Sequence, residues 1–398
     1  MKKLMLLGGA QYLLPVIREA KALGIYTISC DYLPDNIAHK YSDEYCNVSI
    51  IDKEAVLEAA KKLEIDGIMS FACDPGVATA AYVAEKLGLR FAGSYESVSI
   101  LQDKGRFRAF LRDNGFNVPW AKSYAKAEDA MADAASYPWP MIVKPVDSAG
   151  SKGVKRVDSV DELPEAIAYA LDFSHCGEFI VEQFIQQLGS SSDSDCFSVN
   201  GELKFCSFDE QLFDRSAENP YTPAAYVWPS TMPNEIQAEL RSELQRLMTL
   251  LKLDTSVYNI ETRQGTDGKP YIMEVSPRGG GNRLSEVLEM ASGTKLIQNA
   301  VRAAVGLDVD EMADPVYKGH WAEIILHSDM DGKFKELWIA PELEDSVAQR
   351  DLWVKAGDTV ERFSGANKAI GTLVMNFADR ETTERCMANQ DWYKVVVE

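Results

Sequence analysis

Glu261 and Glu274 stand on either side of Asp267-Gly268, and an Asp-Gly pair between strand-like runs signals a tight hairpin. A two-residue turn there sets Thr266 opposite Lys269. Counting back along both arms then places Glu261 opposite Glu274 and Asn259 opposite Ser276. Alternation sends Asn259, Glu261, Arg263, Glu274, Ser276 and Arg278 to one polar face, and Tyr258, Ile260, Met273 and Val275 to a core. Like charges opposed on a hairpin repel by about 0.2–1 kcal/mol when exposed. Either Arg263 or Arg278 relieves them in an ion-pair cluster, or a hard cation does. Mg²⁺ suits the second reading, because one or two carboxylates hold it while water and substrate phosphates supply its other ligands. Gly279, Gly280 and Gly281 follow Arg278 at once. They either let a substrate or phosphate approach the backbone closely or form a flexible link into RLSEVLEMA.

Phosphates accompanying such an ion need a grip elsewhere. The strand MIVKP (141–145) presents Lys144 and leads straight into DSAGSKG (147–153). The backbone N–H groups of a glycine and serine loop can form an anion nest, although most such loops are hairpin turns. VKRV returns as a strand, VDELPEAIAYAL is a helix, and EFIVEQFI (178–185) is a further strand.

Composition narrows the function classes. Lys and Arg number 41 against 61 Asp and Glu, a net charge of -20 that repels nucleic acid and anionic lipid. Apolar runs stay below the roughly 18–20 residues of a membrane span, and MKKLMLLGG meets glycine before a signal-peptide core forms. The expectation is a cytoplasmic protein without membrane or nucleic-acid partners. The seven cysteines are odd in number and lack C-x-x-C spacing, so neither a disulfide framework nor a zinc site is expected. With four histidines and no H-E-x-x-H there is little for a transition metal, and carboxylates should hold any ion.

These residues need a scaffold. KLMLL, IYTISC, DGIMSFACD and LRFAG read as strands, with helices at Tyr12–Leu23, KEAVLEAAKKLE and GVATAAYVAEKLG between them. Strands alternating with helices give a doubly wound parallel sheet over residues 1–95. Its first turn, GGAQYL, lacks G-x-G-x-x-G, which disfavours a nicotinamide or flavin oxidoreductase. Ligands of such sheets sit beyond the carboxyl ends of the strands, so Gly9, Asp31 and Asp74 line a site there or are simply turn residues.

A second domain follows over 96–310, with a lid at roughly 120–185, and a β-rich region over 311–398. SVSILQDKGRFRAFLRDNGFNVP reads as one helix. Asn234 caps the helix NEIQAELRSELQRLMTLLKLD, whose Ile236, Leu240, Leu244, Leu247 and Leu251 form an apolar stripe. Asn200-Gly201 makes a hairpin pairing Cys196 with Phe205 and Asp195 with Cys206, which sends the two cysteines to opposite faces. Tyr221, Tyr226 and Trp228 in NPYTPAAYVWP either line a substrate pocket or pack locally.

Lys104 in LQDKGRF, Lys144 in VKP, the loop DSAGSKG, the strand VEQFI, and E-T-R followed by M-E-V-S-P-R resemble the ATP-grasp ligases in order and spacing. The resemblance covers essentially the whole chain and rests on the set rather than on any one motif. It implies an α/β and α+β fold: an ATP-grasp fold with an N-terminal doubly wound parallel-sheet domain, a two-part nucleotide-binding domain and a small C-terminal β-rich region. It implies ATP together with one or two Mg²⁺ ions, or Mn²⁺, carried by Glu261 and Glu274. Lys104 and Lys144 would hold the α- and β-phosphates, and Ser148, Gly150, Ser151 and Gly153 would cover the transferred phosphate. Glu182, Gln183, Phe184 and Ile185 would bind adenine, largely through the backbone. Arg278 would stabilise the transferring phosphoryl group, while Gly9, Asp74, Arg263, Ser276 and Gly280 fall on the substrate side.

The implied reaction phosphorylates a small carboxylate and joins the acyl phosphate to an amine, as in amino-acid ligases and the carbamoyl-phosphate synthase large chain. A bicarbonate-activating enzyme of the same superfamily and a non-catalytic ATP-binding module are the alternatives. No biotin-attachment M-K-M signature is present. Small-molecule substrates and a homodimer are the partners the resemblance implies. The chain departs from the family pattern at Ser276, where many members place a metal-binding Asn, and in GSSSDSD, where Ser191 or Asp193 stands in for a ribose-binding acid.

Overall fold

The computed structural model describes residues 1–148, 150–389 and 391–398. Lys3–Leu7, almost wholly apolar and buried, is the natural centre of a parallel sheet and takes that place. Strand order is Glu44–Cys46, Tyr26–Cys30, Lys3–Leu7, Gly67–Ser70, all parallel. Helices Leu14–Ala22, Lys53–Leu63 and Val77–Leu87 cover it. The expected strand at LRFAG does not form, and Glu44–Cys46 is the fourth strand instead. Residues 89–93 are a connector: Phe91 packs on the core, and the Ala92 carbonyl accepts hydrogen bonds from Asp254 N–H at 2.7 Å and the Tyr258 hydroxyl at 3.4 Å.

The single helix expected from Ser97 is two, Tyr95–Gln102 and Lys104–Asp113. Asp103 is extended between them, and its carboxylate caps the second helix by accepting from Arg106 N–H at 2.8 Å. Lys104 therefore sits on a first turn, pointing out of a corner rather than lying along a helix side.

A four-stranded antiparallel sheet follows, in the order Ala121–Tyr124, Phe179–Gln183, Met141–Pro145, Lys155–Val157. Helix Leu163–Asp172 packs Leu163, Ala166, Ile167 and Ala170 against its Met141, Val143 and Val181. The central sheet runs Glu202–Cys206, Ser192–Val199, Ser256–Gln264, Pro270–Ser276. Helix Asn234–Leu250 lays Leu240, Leu244 and Leu247 on one face of it, as the stripe predicted. Asn234 is not the cap: the helix begins there, Pro233 precedes it, and the Pro233 carbonyl accepts from Ile236 and Gln237.

Both hairpins of the central sheet carry bulges that turn chemistry does not announce. Between Leu203 and Phe205 the register shifts, so Cys206 pairs with Cys196 rather than with Asp195. The two cysteines face each other, Sγ to Sγ 3.6 Å, as buried free thiols. At the other hairpin Gly265 N–H donates to Lys269 O, leaving Thr266, Asp267 and Gly268 as a three-residue loop with Gly268 left-handed at φ 80°. That displaces the register by one, and a bulge after Glu261 displaces it back. Glu261 and Glu274 are directly opposed, and so are Asn259 and Ser276.

In the C-terminal part, Glu210–Phe213, Pro223–Trp228, His320–Leu326, Gly371–Phe377 and Val347–Leu352 form one antiparallel sheet in that order. Residues 210–228 and 320–377 therefore share a core of Ala225, Val227, Ile324, Leu373 and Met375. Among the described residues no helix is long and apolar enough to cross a membrane.

Candidate active site

The site lies where the parallel sheet, the sheet that contains Met141–Pro145 and Phe179–Gln183, and the central sheet meet. Lys144, on the strand Met141–Pro145, and Glu182, on the neighbouring strand Phe179–Gln183, come together with Nζ 2.5 Å from Oε1. The second carboxylate oxygen accepts from Arg108 Nε at 2.9 Å, and Arg108 Nη1 also donates to Met273 O at 2.7 Å. Burial disfavours the ionised form of Glu182, but Arg108 and then Lys144 outweigh it and hold the carboxyl down at about 2. Burial pushes Lys144 the other way, below the usual lysine range: it shares one anion with a second cation, and Glu182 offsets only part of the effect. Arg108 was not anticipated. It occupies the buried side of an otherwise basic helix beside Phe107 and Leu111, and nothing local in GRFRAFLRD marks it.

Lys104 bridges toward the acidic hairpin. Its Nζ donates to Ser148 O at 2.7 Å and stands 3.9 Å from Glu274 Oε2. Glu261 pairs with Arg263 on its own strand, and both glutamates are partly exposed. The loop after Lys144 is turned by Gly150 and Gly153 at φ 68° and 70°, with Ser151 also left-handed at 58°. Ser151 is tied to the segment after Glu210–Phe213: its Oγ donates to Tyr221 O at 2.9 Å and its carbonyl accepts from Asn219 at 3.2 Å. The N–H of Gln183 donates to Trp120 O at 2.7 Å and that of Phe184 to Pro140 O at 2.9 Å, and the Arg156 guanidinium lies 4.6 Å over the Phe184 ring. Ile185 lies beside Gly265, in van der Waals range of a methyl added there.

Arg278 and Asp74, picked out separately, are partners. Arg278 Nε and Nη2 grip both Asp74 oxygens at 2.8 and 2.7 Å, while Nη1 donates to Asn259 Oδ1 at 2.8 Å and Gly279 O at 3.2 Å. Ser276 Oγ donates to Asp74 Oδ1 at 2.8 Å and accepts from Gln102 at 3.0 Å. Burial opposes the charge on Asp74, but the Arg278 guanidinium holds it below the ordinary carboxylate range. Of the five guanidinium N–H groups, these contacts leave one on Nη2 free among the described residues.

The first two of the three glycines after Arg278 are there for packing, while Gly281 has room for a methyl group. A Cβ at Gly279 would lie 2.2 Å from the Phe71 ring, and one at Gly280 would strike Leu284 and Asn259. Gly280 N–H donates to Asp195 Oδ1 at 2.8 Å, and Ala72 N–H donates to Gly279 O at 3.0 Å. Gly9 is crowded in the same way by Asn36 and His39.

Beneath the hairpin lies an acidic floor. Asp193 pairs with Glu261 across the ladder and accepts from Asn259 at 2.8 Å and from Tyr226 at 3.3 Å. Burial, then Glu261, raises it to about 7. Burial raises Asp195 to about 6, although Ser285 and Gly280 donate to it. Tyr226 and Trp228 are strand residues of the core, with Tyr226 OH also accepting from Asn282 at 3.2 Å.

Residues 137–286 match the ATP-grasp domain. The carbamoyl phosphate synthase large chain of Thermoanaerobacter sp. (strain X514) is 24% identical over 243 residues, which is 59% of this chain but only 22% of that one. The L-amino acid ligase of Bacillus licheniformis superposes with a TM-score of 0.80 at 19% identity, over 100% of this chain and 99% of that one. The biotin carboxylase domain of Hydrogenobacter thermophilus 2-oxoglutarate carboxylase, solved with MgADP, ADP and bicarbonate, superposes with a TM-score of 0.74 at 15% identity, over 100% and 91% of the two chains. This chain carries an ATP-grasp domain over residues 137–286, on a scaffold with the ATP-grasp fold throughout.

Proposed function

We propose that the protein is an ATP- and Mg²⁺-dependent ligase that phosphorylates a small carboxylate to an acyl phosphate and joins it to an amine, releasing ADP and phosphate. The observation carrying this reading is the direct opposition of Glu261 and Glu274 on one hairpin. The donor set fits a hard divalent ion: two facing, partly exposed carboxylates that supply oxygen ligands, with Arg263 on Oε1 of Glu261 and Lys104 no closer than 3.9 Å to Glu274. Bound there, Mg²⁺ would neutralise phosphate charge.

The chain's own residues divide the remaining work. Lys144, already near Lys104 and Arg108, brings positive charge to the nucleotide side, and its anchor Glu182 keeps it fixed. Lys104 joins the 147–153 loop to the acid pair, so the loop and the hairpin close on the same phosphates. Arg278, immobilised by Asp74, has one N–H left for an oxygen of the transferring group. A donor held before the reaction stabilises developing charge without reorganising. Catalysis is then positioning and charge stabilisation, with no covalent enzyme intermediate.

The test is phosphate release from ATP and Mg²⁺ with amino acids supplied singly and in pairs. Turnover with a particular carboxylate and amine is expected, and Glu274→Gln should abolish it. Undiminished turnover in that variant would remove the metal assignment.

A further inference from the structure

Away from the active site, three side chains meet at one end of the C-terminal sheet. Glu210–Phe213 and His320–Leu326 flank Pro223–Trp228 and are antiparallel to it, so both outer strands leave the sheet at the same end. Asp214 follows the first, His327 and Asp329 follow the second, and one ligand atom from each lies within 4.8 Å of the others.

The histidine separates this group from an ordinary acidic turn. His327 is 92% buried by side chain (8% exposed) and stacks on Phe363 with centroids 4.1 Å apart. Its Nδ1 lies 2.6 Å from Ile325 O, and because a carbonyl only accepts, Nδ1 carries the proton. In the neutral ring Nε2 is then a bare lone pair aimed at the Asp214 carboxylate, 3.3 Å away. Two acceptors cannot bond each other. Two ligands of one tetrahedral ion with bonds of about 2.0–2.1 Å stand about 3.3 Å apart. An Nδ1–H donated to a backbone carbonyl is also the usual support for a metal-binding imidazole.

We propose that Asp214, His327 and Asp329 form a site for a first-row divalent transition ion, Zn²⁺ being the best match to one nitrogen and two carboxylate oxygens. This departs from the expectation that only carboxylates would hold a metal here. Asp214 Oδ1 is occupied by Ser216 N–H at 2.8 Å and Ser216 Oγ at 2.6 Å, which leaves Oδ2 for the ion. The ion would fix the start of the 214–222 segment, whose far end holds Ser151 of the phosphate loop through Tyr221 O and Asn219.

The experiment is calorimetric titration of chelator-treated full-length protein with Zn²⁺, repeated with Co²⁺ to read ligand-field absorption. One equivalent should bind, with affinity reduced about 10-fold or more in His327→Gln and in Asp329→Asn. Co²⁺ should give visible bands that His327→Gln lacks. Asp329 is exposed, so its variant tests the site even if loss of the Phe363 stacking unfolds the histidine variant. Glu274→Gln should retain the Zn²⁺ affinity, which separates this site from the nucleotide-associated ion. Absence of stoichiometric uptake, or equal uptake by wild type and Asp329→Asn, would overturn the proposal.

Discussion

Glu182 and Glu323 are both buried carboxylates on interior strands, 3% and 0% exposed, yet the fold shifts their ionisation in opposite directions. Glu182 receives Arg108 and Lys144, one on each oxygen, and is held at about 2. Neither oxygen of Glu323 has a hydrogen-bond partner among the described residues. Burial raises its pKa well above the ordinary range, Arg283 offsets only part of that, and Glu286 and Asp209 add to it. Residue type does not decide which acid is ionised; the cations folded against it do. Glu182, on the strand Phe179–Gln183, is the fixed anion that orders two cations. Glu323, on the strand His320–Leu326 opposite Tyr226, has only Arg283 to offset its burial.

The sharpest way to break this comparison is Glu182→Gln. It leaves Arg108 and Lys144 buried without their shared anion, and loss of one partner from a buried ion pair typically costs about 3–5 kcal/mol. Urea unfolding at neutral pH should show a loss of that order. The sign in acid follows from the shift: the folded value, about 2, lies below the ordinary 4.5, so Glu182 contributes stability above pH 4.5 that disappears as pH falls toward 2. The wild type should therefore lose roughly 3 kcal/mol through this group across that window, while the variant shows no such slope. A loss under about 1 kcal/mol at neutral pH would mean that the two cations find other anions, and the contrast with Glu323 would fall.

Asp74→Asn should cost less, about 1.5–3 kcal/mol, because Arg278 keeps Asn259 and Gly279 as acceptors. If Arg278 acts on the transferring group, the same variant lowers kcat with little change in KM for ATP, since the guanidinium remains but is no longer fixed. A rise in KM for ATP with kcat unchanged would assign the pair to nucleotide binding instead.

The difference between the two acids also marks what the sequence makes legible. Strands such as Lys3–Leu7 and the stripe of helix Asn234–Leu250 follow from periodicity, because burial acts on each residue locally. Glu182 was readable as a strand acid, but its charge state depends on Arg108, 74 positions away, and the Asp74 contact with Arg278 spans 204 positions. Lists of candidates can include both ends of such contacts without revealing that they touch. Bulges limit register in the same way. The opposition of Glu261 and Glu274 was reached because a three-residue loop and a bulge displace the ladder by equal and opposite amounts. Cys196 and Cys206 were sent to opposite faces because their hairpin has one bulge and nothing to cancel it.

The smallest effect should come from Glu323→Gln, and its value lies in its sign. The folded group binds its proton more tightly than the unfolded one, so above pH 4.5 the unfolded chain releases a proton that the folded chain keeps. Glu323 therefore lowers stability progressively as pH rises from there toward its folded value, the reverse of Glu182. Glutamine has nearly the same shape and cannot titrate. Near pH 5 the variant should match the wild type within about 1 kcal/mol, and by about pH 8 it should be the more stable of the two. Urea unfolding at both pH values measures that crossing directly. A variant destabilised equally at both would show that Glu323 is ionised and compensated like Glu182, and the contrast between the two acids would fall.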